Sequence, residues 1–219
     1  MKITKVEKFL AKSGSCKSLV IFLHGYGANG ADLIGLSESI SNHFPNTVFL
    51  SPNAFQPCPG NPMGFQWFPI EWLYGDKSID VEVEIEESVT HLRNWINSQV
   101  TNFGVSPGNT LIVGFSQGTM MALHLATRGM ESFAGVVGFS GKLLKPKELS
   151  KKSKVTMPIL LVHGTDDEVV PLENLNEASD ALLSVGYRTF VHVSKGVGHG
   201  IGPDGLSAAI KFMKRFLKY

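Results

Sequence analysis

"NTLIVGFSQGTMMALHLATRG" (109–129) opens with a compact apolar run and closes with one that is apolar nearly all round. The first, TLIV, has the β-branched composition and short length of a buried strand. The second, MMALHLA, reads as a buried helix that stops at Gly129. Between them Gly114, Ser116 and Gly118 form Gly-x-Ser-x-Gly. A turn this sharp from strand into helix leaves a serine with its Oγ projecting, and side chains two residues away on either side would collide. The strand before and the helix after separate this motif from a chance match. Ser116 is therefore read as a nucleophile, not as a serine that merely satisfies a turn.

The same alternation continues in both directions. "KSLVIFLHGYG" (17–27), "NTVFLSPNA" (46–54), "FAGVVGFSG" (133–141), "MPILLVHG" (157–164) and "RTFVHV" (188–193) read as strands. "DLIGLSESISNHF" (32–44) reads as one helix, with Leu33, Leu36, Ile40 and Phe44 in a stripe; "LENLNEASDALLSVG" (172–186) and "GLSAAIKFMKRFLKY" (205–219) are helices too. "IDVEVEIEESVTHLRNWINSQV" (79–100) carries both periods. The helical one is longer and Asp80 can cap it, so a helix is expected. Continuous apolar strands separated by amphipathic helices predict an α/β fold: a mostly parallel central sheet covered on both faces, without a separate cap domain. The polar alternation of "KITKVEKFL" (2–10) suits an antiparallel edge. "FQPCPGNPMGFQWFPIEWLYGD" (55–76) shows no period and reads as a long loop.

Composition narrows the function. With 219 residues, 43% of them hydrophobic, residues 1–219 are expected to form one domain. Twenty basic against nineteen acidic side chains give a net charge of +1, which offers nothing to nucleic acid. No apolar run is long enough to span a bilayer and the first residues lack a secretory pattern, so a cytoplasmic protein without stable membrane insertion is expected. Cys16 and Cys58 lack metal-ligand spacing and read as free thiols. Neither metal nor cofactor is called for. The basic stretch 142–154 reads as a solvated linker.

A serine hydroxyl needs a base, and on this fold the chain order is serine, acid, histidine. His199, in the glycine-rich "GVGHGIG" (196–202), can swing a ring toward Ser116. His192 lies inside a strand pattern and reads as a satisfied strand histidine. His24 and His163 precede glycine at strand ends, where they read as shaping turns, and come too early in the chain. "LLVHGTDDEVVP" (160–171) offers Asp166, Asp167 and Glu168 as the acid, and spacing alone does not choose among them. One oxyanion donor follows from the elbow itself: the backbone N–H of Gln117, at the positive end of its helix.

"HGYG", "GFSQG", "HGTDDEVVP" and "GVGHGI", in that order, resemble the phospholipase/carboxylesterase family of α/β-hydrolases, which includes the acyl-protein thioesterases. The resemblance covers nearly the whole chain. It implies Asp167 as the acid, with Asp166 the runner-up, and the Tyr26 amide as the second oxyanion donor. Thr119 departs from it, since the family usually has a second glycine there, and a β-branched side chain could narrow the space beside the elbow. The aromatics Phe65, Trp67, Phe68 and Trp72 are expected to line an apolar acyl groove; Leu73 and Tyr74 belong to the same segment. The implied activity is hydrolysis of small-molecule or lipid acyl esters or thioesters, short to medium in chain, lysophospholipid and acyl-protein among them. A homodimer is compatible with it. The competing readings are an inactive binding protein on a hydrolase scaffold and a lactone hydrolase or peptidase of the same fold.

Overall fold

The computed structural model describes residues 2–70, 80–129, 132–149 and 157–218. Its main sheet has seven strands: β1 (Val6–Phe9), β2 (Ser18–Leu23), β3 (Thr47–Pro52), β6 (Thr110–Phe115), β7 (Gly135–Phe139), β8 (Ile159–Gly164) and β9 (Thr189–Ser194). They lie in the order β1-β3-β2-β6-β7-β8-β9. Only β1 is antiparallel, pairing Val6 with Pro52 and Phe9 with Phe49. The polar alternation of the N-terminus marks that edge.

The apolar runs divide residue by residue between two cores. Leu19, Ile21 and Leu23 of β2 face one; Val20 and Phe22 face the other. A strand buried on both faces has no reason to alternate. The helices α3 (Val81–Asn102), α4 (Gln117–Arg128) and α5 (Glu173–Ser184) cover the first face. On the second lie α1 (Gly30–Ile34), α2 (Leu36–Ile40) and α6 (Pro203–Phe216). Asp80 caps α3 as the sequence suggests, its carboxylate accepting from the N–H groups of Glu82 at 3.1 Å and Val83 at 3.3 Å.

Two expectations need correction. The single helix over 32–44 is instead α1 and α2, joined at Gly35 and followed by a short 3₁₀ turn at Ser41–His43. Glycine weakens the helix there, and the Ser37 hydroxyl takes the Ile34 carbonyl at 2.6 Å, competing with the backbone ladder. The segment after Phe55 is not a featureless loop. It folds as an antiparallel hairpin of β4 (Gln56–Cys58) and β5 (Asn61–Gln66), anchored where Phe65 N–H donates to the Ala28 carbonyl at 2.7 Å.

Candidate active site

The elbow between β6 and α4 holds Ser116 at φ 53°, ψ −116°. A non-glycine residue in that region costs about 1–3 kcal/mol and persists only where its surroundings enforce it. The enforcement is visible at the flanking glycines. A Cβ on Gly114 would meet the Gly118 carbonyl oxygen at 2.5 Å, and one on Gly118 would overlap the Leu23 carbonyl of β2. Thr119, out of place by family habit, does not narrow this turn. Its hydroxyl donates to the Phe139 carbonyl at 2.8 Å, and its methyl group fills space that Gly138 and Gly141 leave open.

His199 brings its Nε2 to 3.0 Å from Ser116 Oγ. Its other ring nitrogen, Nδ1, lies 2.9 Å from Asp167 Oδ2 and 3.0 Å from Oδ1. An ionised carboxylate only accepts, so Nδ1 carries the hydrogen and Nε2 presents its lone pair to the serine. The Asp167 side chain is fully buried. Burial alone would raise its carboxyl; hydrogen bonds from the Val170 N–H and His199 outweigh that and hold it below its ordinary value. Val169 and Val170 N–H groups donate to Oδ1 at 3.0 and 2.8 Å.

His163 adds a contact beyond the turn-shaping read from the sequence. Its Nε2 lies 2.8 Å from the Val170 carbonyl, which can only accept, so Nε2–H is the tautomer. That same N–H sits 3.3 Å from Asp167 Oδ2. Asp166 turns the other way. It is exposed and accepts from the Thr165 hydroxyl at 2.6 Å, tying the loop that carries Gly196. Glu168 is also exposed.

A cavity of about 350 Å³ opens at Ser116 and His199, bounded by Tyr26, Gln117, Ile70, Met120 and Val170. The loop that bears Tyr26 is braced from both ends. Gly27 N–H donates to the Phe65 carbonyl at 2.9 Å. His24 donates from Nδ1 to the Gly25 carbonyl at 2.7 Å and accepts at Nε2 from Ala54 N–H at 2.9 Å. Only a neutral ring can do both, and burial lowers its pKa accordingly.

Of the aromatics expected to line the groove, Trp67 needs correction. Trp67 is fully buried, with its indole N–H on the His24 carbonyl at 2.9 Å, so it packs behind the site and does not line the cavity. Phe65 is half-buried in β5, beside the loop that bears Tyr26. Phe68 borders a smaller cavity of about 110 Å³ adjoining the first. Trp72, Leu73 and Tyr74 lie outside the described residues. One residue does more than the sequence reading gave it. The buried Gln117 side chain accepts from Trp67 N–H at 2.9 Å and donates to the Phe68 carbonyl at 2.8 Å. A glutamine opening an otherwise apolar helix was the available signal.

The fold is shared with known proteins. The chain matches the phospholipase/carboxylesterase family over residues 5–217. It belongs to that family. Esterase YpfH of Escherichia coli is 25% identical over 213 residues, covering 96% of this chain and 88% of its own. Acyl-protein thioesterase 1 of Schizosaccharomyces pombe is 30% identical over 205 residues, with 88% of each chain covered. Among solved structures, esterase PE8 superposes with a TM-score of 0.88 at 37% identity, over 96% of this chain and 98% of that one. As a phospholipase/carboxylesterase family member the protein is a hydrolase of the α/β type. Among the described residues no helix is long and apolar enough to cross a membrane.

Proposed function

We propose that the protein is a serine carboxylesterase or thioesterase that works through an acyl-enzyme on Ser116. The observation that carries this is the unbroken hydrogen-bond chain from a buried carboxylate through His199 to a strained serine at the cavity floor. His199 Nε2 takes the Ser116 proton as Oγ attacks the acyl carbon. Negative charge then builds on the carbonyl oxygen. In this reading the amides of Tyr26 and Gln117, two residues that line the cavity, receive it; each such donor is worth about 10²–10³-fold. Asp167 stabilises the imidazolium so formed. The leaving group departs with the proton from His199, and water attacks the acyl-enzyme by the same route.

The substrates under this reading are accessible acyl esters or thioesters of small molecules or lipids, lysophospholipids and acyl-proteins included. The site residues are all supplied by this chain, which we read as one cytoplasmic domain needing no cofactor; a homodimer is compatible with it. The test is a fluorophosphonate probe followed by mass spectrometry, together with p-nitrophenyl esters of increasing chain length. Label on Ser116, and loss of turnover in Ser116→Ala, are expected. An unlabelled serine in a preparation that still cleaves esters would overturn the assignment.

A further inference from the structure

We propose that the groove between β9 and α6 is a second binding site, separate from the one at Ser116, for an amphiphilic carboxylate: an apolar body carrying a single acid group. The inference goes beyond the hydrolytic reading of Ser116 and stands without it.

The groove holds a cavity of about 560 Å³, larger than the one at Ser116 and sharing no lining residue with it. Cavities that take small ligands run from about 300 to 1,000 Å³. β9 is the last strand of the sheet, so the groove lies along an edge. Its wall is apolar. Phe190 of β9 clusters with Phe212 and Phe216 of α6, the ring centroids 4.8 to 5.8 Å apart, and Leu160 and Ala208 complete the surface. Phe190 and Phe216 are only half-buried.

Charge marks the rim. Lys211 and Arg215 stand about one turn apart on the same face of α6, and both are exposed. The Arg215 guanidinium lies over the rings of Phe190 and Phe216, 5.6 and 5.3 Å from their centres, which sets its N–H donors beside the apolar wall. Among the described residues neither cation pairs with a carboxylate. The acid at this cavity, Asp204, is engaged by His192 at 2.8 Å. Lys211, Arg215 and Asp204 together leave one positive charge, which a single carboxylate neutralises and a phosphate dianion would overshoot.

Other occupants match this surface less well. From residue 187 onward the chain carries Arg188, Lys195, Lys211, Lys214, Arg215 and Lys218 against one acid, Asp204, so two copies meeting by this face would repel. A plain hydrocarbon gives the two cations nothing to bind, and a small hydrophilic anion leaves the aromatic wall wet. An amphiphilic carboxylate lays its apolar part on the rings and makes charge-assisted hydrogen bonds with its acid group.

The experiment is photo-crosslinking of the wild-type protein with a diazirine-bearing decanoic acid and with the matching decanol, read by peptide mass spectrometry. The acid should label β9 and α6, and the alcohol should label them about tenfold less, the equivalent of one charge-assisted bond. Label confined to the Ser116 cavity, or equal label from both probes, overturns the proposal. Calorimetry with decanoate should show this site weakened about tenfold in Lys211→Met and in Arg215→Gln, with p-nitrophenyl butyrate turnover within about twofold of wild type. Undiminished binding in both variants overturns it. Should the variants fail to fold, acid labelling of wild-type β9 and α6 should still drop as salt rises from about 0.05 to 0.5 M, and a flat response overturns it equally. Sedimentation of the protein with phosphatidylglycerol vesicles, without decanoate label on β9 and α6, would assign the face to a bilayer and overturn it too. None of these readouts of binding needs turnover, so an enzyme that cleaves no ester sinks the role of Ser116 and leaves the second site standing.

Discussion

His199 meets Asp167 at 2.9 Å, and His192 meets Asp204 at 2.8 Å. By distance the two pairs are alike. They differ in what surrounds them. The side chains of the first are 20% and 0% exposed, those of the second 32% and 49%. Asp167 is held against burial by backbone N–H groups and by buried neighbours, so its orientation is fixed. Asp204 is lowered mainly by His192 itself, in open solvent, where water and salt screen the pair. His192 sits in mid-strand on β9, beside a larger cavity of about 560 Å³ that contains no nucleophilic elbow. A histidine–aspartate distance therefore identifies nothing by itself. Desolvation of the acid and a strained serine on the far side of the ring make the first pair chemically useful.

Removing the serine tests that contrast most severely. Ser116→Ala should lower kcat on p-nitrophenyl butyrate by about 10⁵–10⁶-fold. Residual activity within tenfold of wild type would erase the difference between the pairs. Asp167→Asn should cost about 10⁴-fold in kcat, because an amide no longer holds the imidazole in the required tautomer.

His163 sharpens the comparison, since it sets a buried N–H beside Asp167. His163→Leu should reduce kcat about tenfold with KM unchanged, as loss of a buried N–H beside a charged group implies. His163→Gln keeps an N–H near the same place and should recover most of that loss. If Leu and Gln behave alike, the ring acts only through packing.

Acid titration separates the pairs another way. The native Asp167 carboxyl lies below its unfolded value, so it favours the folded state above about pH 4, the unfolded carboxyl range. That advantage is lost as pH falls through the native value. In thermal melts from about pH 7 to 3, wild type should exceed Asp167→Asn in Tm at the neutral end, and the gap should close at the acid end. The smallest effect belongs to Asp204→Asn, which should leave turnover within about twofold of wild type and Tm essentially where it was.

The elbow was legible because every clue to it is local: a strand pattern, two glycines and a helix pattern within twenty residues. The parallel sheet was legible for a related reason, since burial on both faces writes itself as unbroken apolar runs. Choosing Asp167 over Asp166 needed the family motif; composition could not say which carboxylate turns inward, a fact settled by Val169 and Val170 offering it their N–H groups. The β4–β5 hairpin stayed hidden because backbone pairing with Ala28 needs no side-chain period. Trp67 was misjudged for the opposite reason. A large aromatic in an irregular segment fits a groove or a core equally well in sequence, and only the His24 carbonyl within reach of its indole decides.

Gln117 ties two parts of the pocket into one body. Its backbone starts the helix behind the serine, while its amide group grips Trp67 and Phe68 from the opposite bank. Shifting that bank would tug on the turn carrying the reactive oxygen. Accommodation of bulkier guests falls instead to the outer rim at the Val169 side chain, since that residue stands 68% exposed.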